Sequence, residues 1–155
     1  MCNTIIQWTM HNSANLQQIG LTVIRIGFGI MLTTFGYNKL FSGAAHLTQI
    51  GSAISLFGIT HGYLLWGYLA ALTELCGGLA YAVGLWTRIA SLPLLFLLIV
   101  ALKFHLQKND SFTVWAFPAL CLCMVIGFLI AGSGIYSIDY IIQRSSSKHH
   151  NDQIL

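Results

Sequence analysis

Four long apolar runs constrain the fold of this chain more than any other feature of its sequence. They cover residues about 19–41, 62–86, 88–106 and 113–135. The hydrocarbon core of a bilayer is about 30 Å thick and about 20 helical residues cross it, so each run is long enough to span a membrane. Backbone polar groups must be paired inside lipid, and the runs lack the two-residue alternation of barrel strands. The runs therefore predict an all-α integral membrane four-helix bundle over residues 19–142.

The composition excludes an ordinary soluble domain. Only 7% of the residues are charged, whereas soluble domains average about 25%. The net charge of +3 comes from Lys and Arg residues that are scattered along the chain. Because they form neither a basic stripe nor a recognition helix, we expect no nucleic-acid partner. The cations are better explained as flanks of the spans that contact lipid headgroups, so the lipid bilayer is the expected partner.

The two ends of the chain are polar. Residues 1–18 contain no Lys or Arg and do not resemble a signal peptide, so we expect the first apolar run to be retained as a span. Residues 143–155 are expected to form a mobile tail. Four spans place both termini on one side of the membrane. The Lys and Arg counts on the two sides are equal, and we favour cytoplasmic termini of a multi-pass protein in the inner (plasma) membrane.

The connection between the first two spans, residues 42–61, is longer than the other connections. Within it Leu47, Ile50, Ile54 and Phe57 fall on one face of a helix, and polar residues fall on the rest of the circumference. This pattern predicts a short helix in the membrane interface between the first and second spans. Its lack of charge leaves a partly buried re-entrant segment as an alternative.

Two ionisable residues lie well inside the first and second spans. An ionised Glu74 at the middle of a span costs about 2.5 to 3.5 kcal/mol, which cancels the contribution of roughly six leucines. Arg25 is predicted at a similar depth in the antiparallel first span, so we expect an Arg25–Glu74 ion pair inside the bundle. Asp139, at the end of the fourth span, is a competitor for Arg25. The alternative is an ion pair that only fixes the register of the helices.

Small residues share the helix faces of both charged residues. Gly29, Thr33 and Gly36 follow Arg25 along one stripe, and Gly78 follows Glu74 by four positions. Small residues allow membrane helices to approach closely, so these stripes predict the packing faces of the first two spans.

A second polar group lies near the opposite membrane surface. Lys39 ends the first span, and Lys103 and His105 end the third. Interfacial anchoring accounts for lysines in such positions, whereas an imidazole such as His105 also transfers protons near neutral pH.

The sequence predicts no metal site and no tightly bound cofactor. Cys121 and Cys123 are two residues apart, so on a helix they point to nearly opposite faces and cannot share a metal. Only four residues are acidic, too few for a hard-cation site. The histidines of the spans lie near span ends, where a haem would not be ligated.

Three stretches of the chain are informative together. They are RIGFGIMLTTFGYNKLF in the first span, ELCGGLAYAVGLWTRIAS at the second span and the turn after it, and GSGIYSIDYII at the end of the fourth. In this order and spacing they resemble the DoxX family of small four-helix membrane proteins, over residues 19–142. One departure is Ile135, where the family often has a basic residue. The matching positions are Arg25, Lys39, Glu74, Gly77, Gly78, Gly84, Arg88, His105, Gly132, Gly134, Ser137 and Asp139.

The resemblance implies a four-helix membrane fold and an association with redox chemistry. Relatives include a subunit of an archaeal thiosulfate:quinone oxidoreductase and membrane partners of thiol-oxidative-stress enzymes. Our leading hypothesis is a membrane subunit of a quinone- or thiol-linked redox system, with or without catalysis of its own. Glu74 would exchange a proton in a quinone-like cavity, Arg25 would hold its charge, and His105 or Asp139 would link it to water. The residues assigned to contact the quinone are Gly77, Gly78, Lys39 and Asp139.

Two other functions are kept as alternatives. One is a non-catalytic scaffold or assembly partner for soluble enzymes, with the apolar face of residues 47–57 as the partner surface. The other is a small-solute transporter, which with four helices would require a homo-oligomer. The redox hypothesis itself requires a membrane or soluble redox partner protein.

Overall fold

All secondary structure is helical in the part of the chain that the computed structural model describes, which is the backbone of residues 2–151 and the side chains of residues 15–145. Four helices are long and apolar enough to cross a membrane, so the predicted all-α membrane bundle is confirmed. In chain order the elements are α1 (Cys2–Leu40), α2 (Ala44–Gly51), a 3-10 helix (Ser52–Phe57), α3 (Tyr63–Val83), α4 (Thr87–Gln107), α5 (Phe112–Ala131) and α6 (Ile138–Asn151).

The helix boundaries differ from the predicted spans at the two ends of the chain. Helix α1 begins at Cys2, because no Gly or Pro interrupts the sequence before Gly20. Helix α5 ends earlier than predicted, at Ala131, because Gly132 and Gly134 adopt left-handed backbone with φ +76 each. The chain then turns, and α6 extends through Asn151 into the segment predicted to be a polar tail. Residues 152–155 of that tail lie outside the described residues.

Helices α1 and α3 are in backbone contact along their length. Gly29 lies against the backbone of Gly78 and Ala82, and Gly36 lies against that of Ala71 and Leu75. A side chain at either glycine would occupy the space of the neighbouring backbone. The predicted packing faces of the first two spans are therefore confirmed, and they fix which residues of α3 stand opposite which residues of α1.

The core lies where all four spans meet. Helix α3 packs between α1 and α4, and α5 packs on α4. Three aromatic rings, those of Phe28, Tyr81 and Phe128, contact one another with centroids 5.2 to 6.1 Å apart. The other buried members of this core are Leu32, Leu94, Leu98, Cys121 and Val125.

The predicted short helix between the first two spans is present, and it is packed against α3. Leu47 and Ile54 are buried, Ile50 is partly buried, and Phe57 is exposed. Gly51 lies against the backbone of Tyr63, and Gly67 lies against that of Leu47. Because most of its apolar face is covered by the chain itself, this segment forms a wall of the bundle.

Candidate functional site

The deepest ion pair in the described residues joins Lys39 to Glu74. Lys39 Nζ lies 2.6 Å from Glu74 Oε1. The Glu74 side chain is 8% exposed and that of Lys39 is 27% exposed, so the carboxylate is the deeper partner. Glu74 Oε2 has no hydrogen-bond partner among the described residues. Because a buried polar atom without a partner is costly, this oxygen marks a place where a ligand group would be stabilised.

The predicted Arg25–Glu74 ion pair is wrong, and helix geometry explains why. Side chains on an α-helix lean toward its N-terminus. Lys39, in the last turn of α1, therefore leans back into the bundle toward Glu74, whereas Arg25 leans toward the opposite end. The contact of Gly29 with Gly78 and Ala82 sets the register and leaves Arg25 level with the end of α3.

Arg25 is buried at that opposite end, where it binds backbone carbonyls. Its Nη1 donates to the carbonyl oxygen of Ser133, and its Nη2 donates to that of Tyr136 at 2.8 Å. The guanidinium lies against Gly84. Gly84 follows Glu74 by ten positions, which corresponds to about 15 Å along a helix. Arg25 therefore holds the α5–α6 turn to the bundle and does not reach Glu74.

Asp139 lies at the same end as Arg25. Its Oδ1 accepts a hydrogen bond from the Trp86 N–H at 2.8 Å, and its Oδ2 accepts one from the Thr87 N–H at 3.3 Å. Its own N–H donates to the Gly84 carbonyl at 3.0 Å. The carboxylate thus caps the N-terminus of α4 from another part of the chain.

A cavity of about 280 Å³ adjoins the Lys39–Glu74 pair. It lies between the end of α1, the segment of α2 and the 3-10 helix, and the facing sides of α3 and α4. Most of its lining is apolar, and the exceptions are Lys39, Glu74, Thr73 and the indole of Trp66. The apolar lining residues include Leu69, Pro93, Phe96 and Ala101.

Of the predicted site residues, Lys39 and Glu74 line the cavity together, and Arg25 and Asp139 lie together around Gly84 at the opposite end of the bundle. Gly78 packs against α1, and Gly77 lies on a groove between α3 and α4. His105 Nδ1 lies 2.8 Å from Asp110 Oδ2 at the end of α4, one helical turn beyond the cavity residue Ala101. Lys103 Nζ lies over the ring of Phe57, 5.3 Å from its centroid.

Sequence reasoning missed the aromatic and hydroxyl residues of the cavity. Trp66, Ala70 and Thr73 all line it together with Glu74. Trp66, Ala70 and Glu74 are four residues apart and Thr73 follows Ala70 by three, which is the spacing of one helix face. A search along the face of Glu74 would therefore have found them. The contribution of Pro93 from α4 has no such signal, because it depends on how two helices pack.

The cavity suits an uncharged polar group. The charges of Lys39 and Glu74 cancel, so the cavity has no net charge that would attract an ion. The pair still offers an ammonium donor and a free carboxylate oxygen as acceptor. Among the described residues, no group of three or more His, Cys, Asp or Glu side chains is placed to hold a metal ion. A small headgroup with both accepting and donating atoms fits this pattern.

One comparison with known proteins gives a match. A family model described as DoxX matches residues 20–107, which is more than half of the chain. The matched range runs from within α1 to the end of α4, so it contains every lining residue of the cavity, Lys39 and Glu74 among them. No curated protein and no solved structure matches the chain.

Proposed function

Because the chain belongs to the DoxX family of membrane proteins, we propose that it is the membrane subunit of a redox system and that the Lys39–Glu74 cavity holds a quinone-like headgroup. The observation that carries the proposal is the unpartnered Oε2 of Glu74 inside an otherwise apolar cavity. A buried carboxylate oxygen without a donor favours a ligand that brings one.

Lys39 and Glu74 would contact different atoms of such a headgroup. The Lys39 ammonium, which has three N–H donors, would donate to a ring oxygen in either redox state, and Glu74 Oε2 would accept from a ring hydroxyl when the ring is in its hydroquinone form. A quinone bound there supplies the electron-accepting chemistry, taking up two electrons and two protons as it becomes a hydroquinone. Glu74 would exchange those protons, and the Lys39 ammonium would stabilise its charge.

A route for protons is suggested by the end of α4. His105 and Ala101 share one face of α4, since they are four residues apart. We propose that the His105–Asp110 pair, which is partly exposed, connects that end of the cavity with water. In this proposal Arg25 and Asp139 act as structural residues at the other end of the bundle.

The redox assignment needs a source of electrons. We propose a soluble or membrane-bound partner protein as the donor, with this chain as a multi-pass protein of the plasma membrane whose termini face the cytoplasm. A homo-oligomer is compatible with this arrangement. The scaffold alternative assigned partner binding to the face of residues 47–57, but Leu47 and Ile54 of that face are buried in the bundle itself.

The test is a quinone assay on protein extracted into native nanodiscs. Wild type, Glu74→Gln and Lys39→Met would be compared, with Lys103→Met as the matched control because Lys103 lies at the same end of the bundle outside the cavity. We expect near-stoichiometric quinone in wild type and Lys103→Met, and at least an approximately tenfold loss in the two cavity variants, which corresponds to about 1.4 kcal/mol.

Folding is checked in the same samples by gel filtration and thermal unfolding. Quinone at the level of bulk lipid in wild type would contradict the proposal, as would equal quinone content in folded Glu74→Gln protein. In either case the Lys39–Glu74 pair would be a structural pair, and the scaffold alternative would gain weight.

A further inference from the structure

A second, apolar concavity continues from the Lys39–Glu74 cavity along the outside of the bundle. This α3–α4 groove has a volume of about 420 Å³ and shares three lining residues with the cavity, Leu69, Thr73 and Pro93. Because the same side chains border both spaces, the groove begins where the cavity opens.

The groove runs along α3 and α4 away from the Lys39–Glu74 pair, toward the turn that joins the two helices. Along α3 it extends from Leu69 to Ala80, a rise of about 17 Å. Its sides are largely apolar, and it ends near Trp86. Small side chains keep it deep in the middle, namely those of Cys76, Gly77, Ala80 and Ala90.

The groove opens to the bilayer and not to water. Leu69 and Leu72 on α3 are 44% and 43% exposed, and both lie within a helix that is long and apolar enough to cross a membrane. The cavity residue Phe96 on α4 is half exposed on the same side. An amphiphile dissolved in the bilayer therefore has direct access to the groove.

We infer that the cavity and the groove form one site for a ligand with a polar ring and a long apolar tail, in which the ring contacts Lys39 and Glu74 and the tail lies between α3 and α4. This inference rests on the proposed function and narrows its substrate class to long-tailed quinones. Two observations support it independently of each other: the unpartnered oxygen of Glu74 points to a polar ligand group, and the shared lining continues that site into a channel of tail-like shape.

The tail would increase affinity through close packing in the groove and not through the hydrophobic effect. Transfer of a hydrocarbon chain from lipid to an apolar groove has no hydrophobic driving force, so only close packing distinguishes the two surroundings. Packing contacts are individually small but numerous, and we expect a tail to increase affinity by about tenfold at equal bilayer concentration.

The experiment compares two benzoquinones with the same ring, one without a tail and one with a decyl chain. Binding to protein in synthetic nanodiscs would be measured by quenching of tryptophan fluorescence, since Trp66 lines the cavity and Trp86 lines the groove. Cys76→Phe fills the groove at an exposed position. Cys123→Phe is its matched control, because Cys123 is equally an exposed cysteine and lines neither space.

At equal concentration in the bilayer, we expect the decyl compound to bind wild type and Cys123→Phe about tenfold more tightly than the tail-free compound, and Cys76→Phe to lose that difference. Equal affinities of the two compounds for wild type, or equal effects of the two phenylalanine substitutions, would contradict the assignment of the groove to the tail. Either result would leave the proposed headgroup site intact. A phospholipid that co-purifies with wild type and is lost from Cys76→Phe, without the tail effect, would also contradict that assignment. Failure of both compounds to bind would instead contradict the proposed function.

Discussion

At the scale of single residues, the direction of a side chain decides the partner of each buried charge. Lys39 and Arg25 both lie on α1, yet one leans toward the cavity and the other leans away from it. Lys39 pairs with Glu74 at 2.6 Å, and Arg25 donates to the carbonyls of Ser133 and Tyr136. A lysine at the end of a span is usually explained by anchoring at the interface, but this one reaches inward to neutralise a carboxylate.

The ion pair leads to a prediction about stability. Lys39→Met leaves Glu74 buried without its cation, so we expect the free energy of unfolding to fall by about 3 kcal/mol. The double variant Lys39→Met with Glu74→Met removes both charges, and we expect it to recover most of that loss because an apolar pair replaces a buried ionic one. Thermal unfolding in one detergent, with both single variants and the double variant, measures the coupling. Additive effects of the two substitutions would show that the residues do not interact.

At the scale of elements, glycines place α1 and α3 in backbone contact. Gly29, Gly36 and Gly78 remove the side chains that would otherwise separate the two helices. The close approach has a functional consequence, because it fixes Lys39 opposite the turn of α3 that carries Glu74. The α3–α4 pair is joined differently, by the Tyr81 hydroxyl, which hydrogen bonds to Ser91 Oγ at 2.6 Å inside the core.

Two glycines on α1, one packed against α3 and one with open space beside it, should respond to substitution in opposite ways. At Gly36 a new methyl group would meet the backbone of Ala71 and Leu75, and we expect Gly36→Ala to lower the free energy of unfolding by about 1 to 3 kcal/mol. At Gly27 no atom lies within 4 Å of the place that such a methyl group would occupy.

Gly27→Ala is therefore the control. It should leave stability unchanged or raise it by up to about 1 kcal/mol, since alanine favours a helix over glycine. Under the proposed function, Gly36→Ala should also weaken quinone binding, because it moves α1 and Lys39 away from α3. Equal stability of the two variants in thermal unfolding would argue against backbone contact between α1 and α3.

At the scale of the whole molecule, apolar residues both fill the core and cover the outside. Val125 and Leu94 are fully buried, whereas Ile130 is 75% exposed and Leu120 is 64% exposed. In a soluble protein so much exposed apolar surface would cause aggregation, but in a bilayer it is the surface that contacts lipid.

This arrangement predicts which residues contact lipid. A carbene reagent that partitions into the bilayer should label Ile130 and Leu120 and should leave Val125 and Leu94 unlabelled, as measured by mass spectrometry of peptides from α4 and α5. The reagent reacts with any C–H bond that it touches, so exposure alone sets the yield. Labelling of Val125 as strong as that of Ile130 would contradict the packing of α5 against α4.

The architecture and the key carboxylate of the site could be predicted from the amino-acid sequence. Length and hydropathy are local properties, and they were sufficient to predict four spans, a short helix between the first two, and the small-residue faces of α1 and α3. The cost of burying a charge in lipid likewise identified Glu74 as a residue that must have a partner.

The identity of that partner and the surroundings of the pair depend on how the helices pack. Counting residues along each span estimates the depth of a residue, but it ignores the lean of the side chain and the register between two helices. It therefore predicted that Glu74 pairs with Arg25, whereas the side chain that points at Glu74 is that of Lys39. The cavity has no signal in any single stretch of sequence, because α1, the segment of α2 and the 3-10 helix, α3 and α4 each supply one of its walls. Such a space exists only after these elements have packed, since its shape depends on distances between residues that are far apart in the chain.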